Sequence, residues 1–409
     1  MVDAVSPAPT HRPGTPLAAR IHTAQQALEA AQAVAALAAP GAVARDRDRI
    51  YPHEALALFS QRGLGSITIA SEYGGAGLPF TVLAEVFRVI SAVDPALGQI
   101  PQNHFGLIRL IDELAPAALK QKIFGAVVGG QRIGNGGPEK HTRHTLDMQA
   151  RLHHTGQGLR LTGDKFYSTG ALFAQIIAVK ALDDAGQPVL ALIPQPAAGL
   201  EIIDDWSGMG QRTTASGSMR LRDVAVAADH VLPLSLLAQR PNIQGAISQL
   251  IQAAIDAGIA QGALDEAHAF IRERSRPWVD AQAARNADDP YILADVGRLD
   301  TELAAANALL QRAARILDET DARPVTAESA AYASVAVAQA KVLTTEVALR
   351  ASEKLLEWGG SRATLAEFGL DRHWRNARTH TLHDPVRWKY HAIGAYTLNG
   401  QLPARHSWI

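Results

Sequence analysis

The chain has 409 residues, 47% hydrophobic and 19% charged, with a formal net charge of -1 and no cysteine. That length exceeds what one core usually serves, so two or three domains are expected. The charge balance offers no global field for nucleic acid or an anionic membrane. The missing thiols exclude disulfides, thiol nucleophiles, iron-sulfur ligation and cysteine-zinc sites, and a cytoplasmic setting fits.

Residues 1–20, "MVDAVSPAPTHRPGTPLAAR", are Pro-rich, lack the apolar core of a secretory signal and read as a flexible tail. No uninterrupted apolar run is long enough to span a bilayer. Residues 21–130 read as a helical domain. Amphipathic patterns run through "AARIHTAQQALEAAQAVAALAA", "YPHEALALFSQRGL", "TVLAEVFRVISAV" and "APAALKQKIFGAVV", with a glycine turn at "SEYGGAGLPF". Residues 131–235 change period. "GQRIGNGGPE" reads as a boundary turn. "MQARLHHTGQGLRLTGDKFYS" alternates around Gly-containing turns, "QIIAVKALDDAGQPVLALIP" reads as a hairpin, and "GSMRLRDVAV" as a further strand, which together suggest a small antiparallel sheet or β-barrel. Residues 241–409 read as a four-helix bundle. Ile247, Leu250, Ile251, Ala254, Ile255 and Ile259 follow helical spacing, Tyr291 to Thr320 and Thr326 to Trp358 give two more long helices, and a last one starts at Pro385 with Asp384 as its N-cap. The fold class is therefore α+β, mostly α.

The phosphate loop GxxxxGK[ST], HExxH, an EF-hand loop and a GxGxxG after a strand are absent from the sequence. Two His-x-x-His pairs, His141 with His144 and His380 with His383, have helical metal-ligand spacing, and Glu139 or Asp384 could complete a two-histidine, one-carboxylate set. The plainer reading is that neither pair binds a metal. Arg272, Arg274 and Arg276 in "RERSR" form a solvated face or a phosphate clamp. "RDRDR" at 45–49 reads as surface. Trp206 sits in a Gly/Ser/Thr-rich loop and either covers a cofactor or anchors the loop.

Five strings, in order, resemble the acyl-CoA dehydrogenase superfamily over nearly the whole chain: "SEYGGAGL", "LTGDKFYSTGA", "MGQRTTASGSMRLRDVAV", "ERSRPW" and "WGGSR". The last region departs from the dehydrogenases. Where most carry a catalytic Glu, "RNARTHTLHDPVRWKY" has histidines and Asp384, and so resembles the dibenzothiophene monooxygenase branch. That resemblance implies a two-component monooxygenase. It would use reduced FMN from a separate reductase (FAD is possible) and O2, through a flavin C4a-hydroperoxide, to oxygenate an organosulfur or related small heterocyclic substrate. It implies the superfamily fold and a homotetramer. It places Asn135 and Thr169 at the isoalloxazine, with Tyr167, Ser168 and Trp206 lining ring and pocket. Arg274 would hold the flavin phosphate across a subunit interface, with Arg362 close by. His380 and His383 would face the reactive side of the flavin as catalytic residues, and His104 and Ser216 would belong to the substrate pocket.

Histidine suits a proton donor near neutral pH. A dehydrogenase needs instead a carboxylate base, and Asp384 is shorter than Glu and busy as a cap. An acyl-CoA dehydrogenase or flavin oxidase, and a non-enzymatic or metal-binding helical protein, stay open as alternatives.

Overall fold

A computed structural model describes residues 18–144 and 146–409. Residues 1–17 of the expected tail lie outside it. Residues 18–20 are held in place: the Ala19 N–H donates to Gln61 O at 2.7 Å, and the Arg20 guanidinium donates to Gly74 O at 3.0 Å.

Among the described residues seven α-helices come first: α1 (Ala24–Ala38), α2 (Ala42–Asp48), α3 (His53–Gln61), α4 (Phe80–Val93), α5 (Pro95–Gln99), α6 (Gln102–Leu114) and α7 (Ala117–Val128). Thr23 and Gln26 close a capping box at the start of α1, and Asp94 caps α5. The stretch Ala24–Asp48 is long and apolar enough by composition to cross a membrane. It is broken by the turn at Ala39–Gly41, and α1 buries Ala27, Ala31 and Val34 in the protein core. Helix α6 is not among the helices expected from the sequence; it buries His104, Phe105, Leu107, Ile108, Leu110 and Ile111.

Eight strands follow among the described residues: β1 (Ile133–Gly136), β2 (Arg151–Thr155), β3 (Gly158–Lys165), β4 (Ile176–Leu182), β5 (Pro188–Pro194), β6 (Leu200–Ile202), β7 (Met219–Val226) and β8 (Val231–Pro233). They pair in the order β6-β7-β3-β2-β4-β5-β8, with β1 on β4. The expected hairpin is present as β4–β5, and the alternating stretch before it forms a second one, β2–β3. The sheet is mixed rather than purely antiparallel, and its path ends at β6 and β8 without closing into a barrel. The stretch read as a boundary turn is strand β1, parallel to β4 with Asn135 opposite Ala178. The β2–β3 excursion between β1 and β4 is long enough for a parallel crossover. A Cβ on Gly134 would lie 2.6 Å from Ala171 Cα, so only glycine lets β1 approach this closely.

The chain ends in helices α8 (Ser235–Ala238), α9 (Gln244–Glu273), α10 (Pro290–Asp321), α11 (Ala327–Gly359), α12 (Asp371–His380) and α13 (Val386–Asn399). Asp289 caps α10 ahead of Pro290, and Thr326 with Ser329 closes a capping box on α11. Helix α9 is the centre of the molecule: Ile247, Leu250, Ile251, Ile255 and Ile259 are all buried, and α9 packs on α4 and α11. Cβ atoms on Gly258 and Gly262 would meet the carbonyl oxygens of Arg88 and Ala92 at 2.6 and 2.0 Å, so these glycines set the α4–α9 spacing. The first and last helical regions share one apolar core, and the sheet has a second one.

Helix α12 covers Arg375 to His380 of the stretch "RNARTHTLHDPVRWKY". Its charges are spent on other helices: Arg375 on Asp46 at 2.5 Å, and Arg372 and His373 on Glu266. The "RDRDR" run is likewise not plain surface, because Arg45 pairs with Asp94 at 2.8 Å and Arg49 with Asp204.

Candidate active site

The sheet, α6, α9, α11 and the α12–α13 turn enclose a cavity of about 1260 Å³. One wall is aromatic. Tyr167 and Trp206 meet edge to face with ring centres 6.2 Å apart. Trp206 Nε1 also donates to Gln211 O at 2.9 Å, so this residue both lines the cavity and anchors its loop. Tyr167, Gln211 and Ala215 hold positive φ angles of 59°, 52° and 49°. Such backbone is uncommon for non-glycine residues and clusters at functional sites.

A polar rim follows that wall. Thr169 Oγ1 and Thr214 Oγ1 each lie 2.7 Å from Ser216 Oγ, and Asn135 Nδ2 donates to Tyr167 O at 3.3 Å. Gln211 keeps 3% exposure, and neither atom of its side-chain amide has a partner. A buried amide without partners costs free energy unless a ligand pairs with it. Beside hydroxyls and a flat aromatic wall, it forms a donor and acceptor set for a planar heteroaromatic ring.

Two histidines, His380 and His383, also line the cavity. His380 is buried, its Nδ1 lies 2.5 Å from Asp256 Oδ1 and its Nε2 3.0 Å from Gln99 Oε1. Burial pushes the His380 imidazole below its usual value, against the pull of Asp256. Burial alone would raise the Asp256 carboxyl, but Lys341 and His380 outweigh it and hold it at about 2. His383 is a third exposed, with Nδ1 3.1 Å from Asp384 Oδ1. Asp384 does not cap α13: the cap position is Pro385, without a side-chain bond. Its carboxylate faces the buried Lys389 ammonium at 3.1 Å instead. Lys389 sits one turn into the helix, where an unpaired cation would be costly, and this takes precedence over a cap. Burial would raise the Asp384 carboxyl, yet the His383 hydrogen bond and the two lysines keep it well below the usual range. Burial lowers Lys389 to about 8 against that same carboxylate.

Of the residues singled out from sequence, Asn135, Tyr167, Thr169, Trp206, Ser216, His380 and His383 line this cavity. Four do not. Ser168 is buried and is not part of the cavity lining, although its neighbours Tyr167 and Thr169 are. His104 is a structural histidine: Nε2 donates to Gly65 O at 2.8 Å and Nδ1 accepts from the Ile133 N–H at 3.0 Å. Both ring nitrogens of its neutral form are thereby used, and burial lowers it to about 4. Its neighbours Gln102, Asn103, Gly106 and Leu107 take the cavity positions. Arg274 and Arg362 lie elsewhere, with guanidinium carbons 5.5 and 5.8 Å from the Phe368 ring centre, and Arg274 lines a separate cavity of about 430 Å³.

Among the described residues no three His, Asp or Glu side chains come together as a possible metal-ligand set. Glu139 is taken by Lys165 and by the Gln149 and Ala150 N–H groups, and His144 pairs with Asp147 at 3.2 Å.

Sequence reasoning missed Asp256, Lys341, Gln99 and Gln211. A charged residue inside the apolar run "QAAIDAGIAQ" was the available signal for Asp256. It also missed the segment Leu402–Ile409, which folds back as part of the cavity wall. Lys389 Nζ donates to Trp408 O at 2.7 Å, and Gln249 Nε2 donates to Ser407 O at 3.0 Å.

Residues 22–131 match the acyl-CoA dehydrogenase N-terminal domain, and residues 250–388 match an acyl-CoA dehydrogenase C-terminal domain. The chain is 34% identical to a dibenzothiophene monooxygenase of Rhodococcus erythropolis, over 83% of this chain and 85% of that one. It is 32% identical to a Pseudomonas putida protein described as "Probable FMNH2-dependent monooxygenase SfnC", over 92% of this chain and 96% of that one. The crystal structure of FMN-bound TdsC from Paenibacillus sp. A11-2 superposes with a TM-score of 0.89 at 31% identity, covering 94% of this chain and all of that one.

Proposed function

The chain belongs to the dibenzothiophene monooxygenase branch of the acyl-CoA dehydrogenase family, and from that premise we propose a two-component, FMN-dependent monooxygenase of organosulfur or related small heterocyclic compounds. One observation carries the choice over a dehydrogenase. Among the described residues no Asp or Glu side chain lines the cavity, whereas His380 and His383 do. Asp384, at the place of a dehydrogenase base, is 2% exposed and faces Lys389. Abstraction of an α-proton has no carboxylate to perform it.

The residues present fit FMN. Asn135, Gln211 and the Thr169–Thr214–Ser216 hydroxyls would bind the ring edge, and Tyr167 with Trp206 would flank it. Reduced FMN, when bound, supplies the two electrons with which one oxygen atom of O2 enters substrate and the other leaves as water. His383 and His380 hold and move protons at the ring nitrogens turned to the cavity. Leu402–Ile409 close one side and exclude water. Asn103 is partly exposed to the cavity beside Gln102, and its amide suits a sulfoxide or sulfone oxygen.

The protein with an FMN reductase, NADH and air is expected to place 18O from labelled O2 into a dibenzothiophene or alkyl sulfide product. Absence of label across a sulfide, sulfoxide and indole panel, with anaerobic bleaching of bound flavin by an acyl-CoA, would reverse the reading. The reductase is a diffusive donor, and cysteine-free composition supports a cytoplasmic setting. A homotetramer belongs to the same proposal, because Arg274 and Arg362 lie away from the cavity and would reach a phosphate only on another subunit. Light scattering should give four chains, and a monomer that binds FMN tightly would refute this.

A further inference from the structure

Behind the cavity wall, α9, α11 and the end of α12 meet at four buried polar side chains. Asp256 and Lys341 have no exposure, His380 has 3% and Thr345 has 4%. Asp256 interrupts an apolar helix between Ile255 and Ala257, and Lys341 interrupts another between Ala340 and Val342. A buried ion pair seldom stabilises more than well-packed apolar residues would, so its retention asks for another reason.

The geometry supplies one. The Asp256 carboxylate is divided between two sides. Oδ2 accepts from Lys341 Nζ at 2.5 Å and from Thr345 Oγ1 at 2.6 Å, and Oδ1 takes His380 Nδ1 at 2.5 Å. The second ring nitrogen, Nε2, faces Gln99 and the cavity. As placed, both ring nitrogens face oxygen acceptors, which the doubly protonated ring satisfies in full. The neutral ring keeps its proton on Nδ1 and pairs with Gln99 once that amide turns over.

We propose that Asp256 and Lys341 are positioning residues for His380: Asp256 keeps a proton on Nδ1 so that Nε2 is the exchangeable nitrogen at the cavity, and Lys341 shares the carboxylate and so sets how readily Nε2 gives up its proton. This rests on the reading of His380 as a proton-handling group. The charged and titratable side chains facing His380 are Asp256 from α9, Lys341 from α11 and His383 from its own turn; Gln99 from α5 is neutral. With Lys341 gone, the full carboxylate charge falls to His380 and its protonated form gains. With Asp256 neutral, the Lys341 ammonium repels that form.

The test is a 15N-histidine NMR titration of the full-length protein, which needs no turnover. The His380 signal is identified by its loss in His380→Gln. Asp256→Asn is expected to lower the titration midpoint by about 1 pH unit or more, and Lys341→Met to raise it by a similar amount. Thr345→Val, which changes no charge and should fold, is expected to raise it by less. An unmoved midpoint in Thr345→Val and in whichever charge variant folds, or movement of both charge variants in one direction, overturns the proposal. Product formed per reduced FMN oxidised, followed from pH 5 to 9, separates the two layers: a coupling profile that ignores a moved midpoint counts against His380 in the reaction and not against the pair that tunes it.

Discussion

Replacing His383 with alanine is expected to slow substrate oxygenation by on the order of 100-fold or more while FMN binds as before. His383 lines the cavity and is the more open of its two histidines, with one third of its side chain exposed. Its Nδ1 rests on the Asp384 carboxylate, which Lys389 holds in its charged form. That arrangement keeps a proton on Nδ1 and leaves Nε2 for the reactants. A general acid or base so placed contributes roughly 100- to 10,000-fold. Alanine removes it without touching Asn135, Gln211, Thr169 or Trp206, so FMN affinity measured by fluorescence quenching should hold. The decisive quantity is oxygenated product per FMN oxidised, with hydrogen peroxide making up the difference. Unchanged coupling would remove His383 from the chemistry. Asp384→Asn keeps a hydrogen-bond acceptor for His383 but leaves the buried Lys389 without its counter-charge, so it is expected to lower stability as well as coupling.

The second large effect is on stability. Lys165, at the end of β3, has no side-chain exposure, and its ammonium sits 2.6 Å from Glu139 Oε1. Glu139 also accepts the Gln149 and Ala150 N–H groups at 2.8 and 3.1 Å and so ties the loop before β2 to the sheet. Burial lowers the Lys165 pKa, with Glu139 opposing. Glu139→Ala strands that cation and is expected to cost about 3–5 kcal/mol. The sign with pH follows from proton counting. In the variant, folded Lys165 titrates below its unfolded value, so the unfolded chain binds more protons and stability rises with pH. Thermal melts between pH 7 and 10 should show the deficit shrinking toward alkaline pH. A deficit independent of pH would mean that the lost loop hydrogen bonds, and not the stranded charge, dominate.

Much of the architecture was open to a reading of the residues alone, because it is written in local terms. The succession of helical, β and helical regions shows in the change of hydrophobic period. The β4–β5 hairpin shows in turn residues between two short apolar runs, and the long helices α10 and α11 in their apolar spacing. The histidines of "THTLHDP" and the loop around Trp206 stood out by residue type and by resemblance, and the cavity collects both. What the tertiary structure decided depends on partners distant in the chain. His380 meets Asp256 across 124 residues and Gln99 across 281. Asp384 was read as a cap because Asp-Pro before a helix is a local signal. A buried lysine one turn on competes for the carboxylate, and burial is not a local property. His104 resembled a pocket residue until β1 and the Gly65 carbonyl were found to occupy both its nitrogens. Residue pattern thus determines which elements form and which side chains have the chemistry. Whether a given charge faces solvent, a ligand or an opposite charge is determined only when distant helices pack, since the energy of an ionised group depends on every group brought within a few ångströms of it.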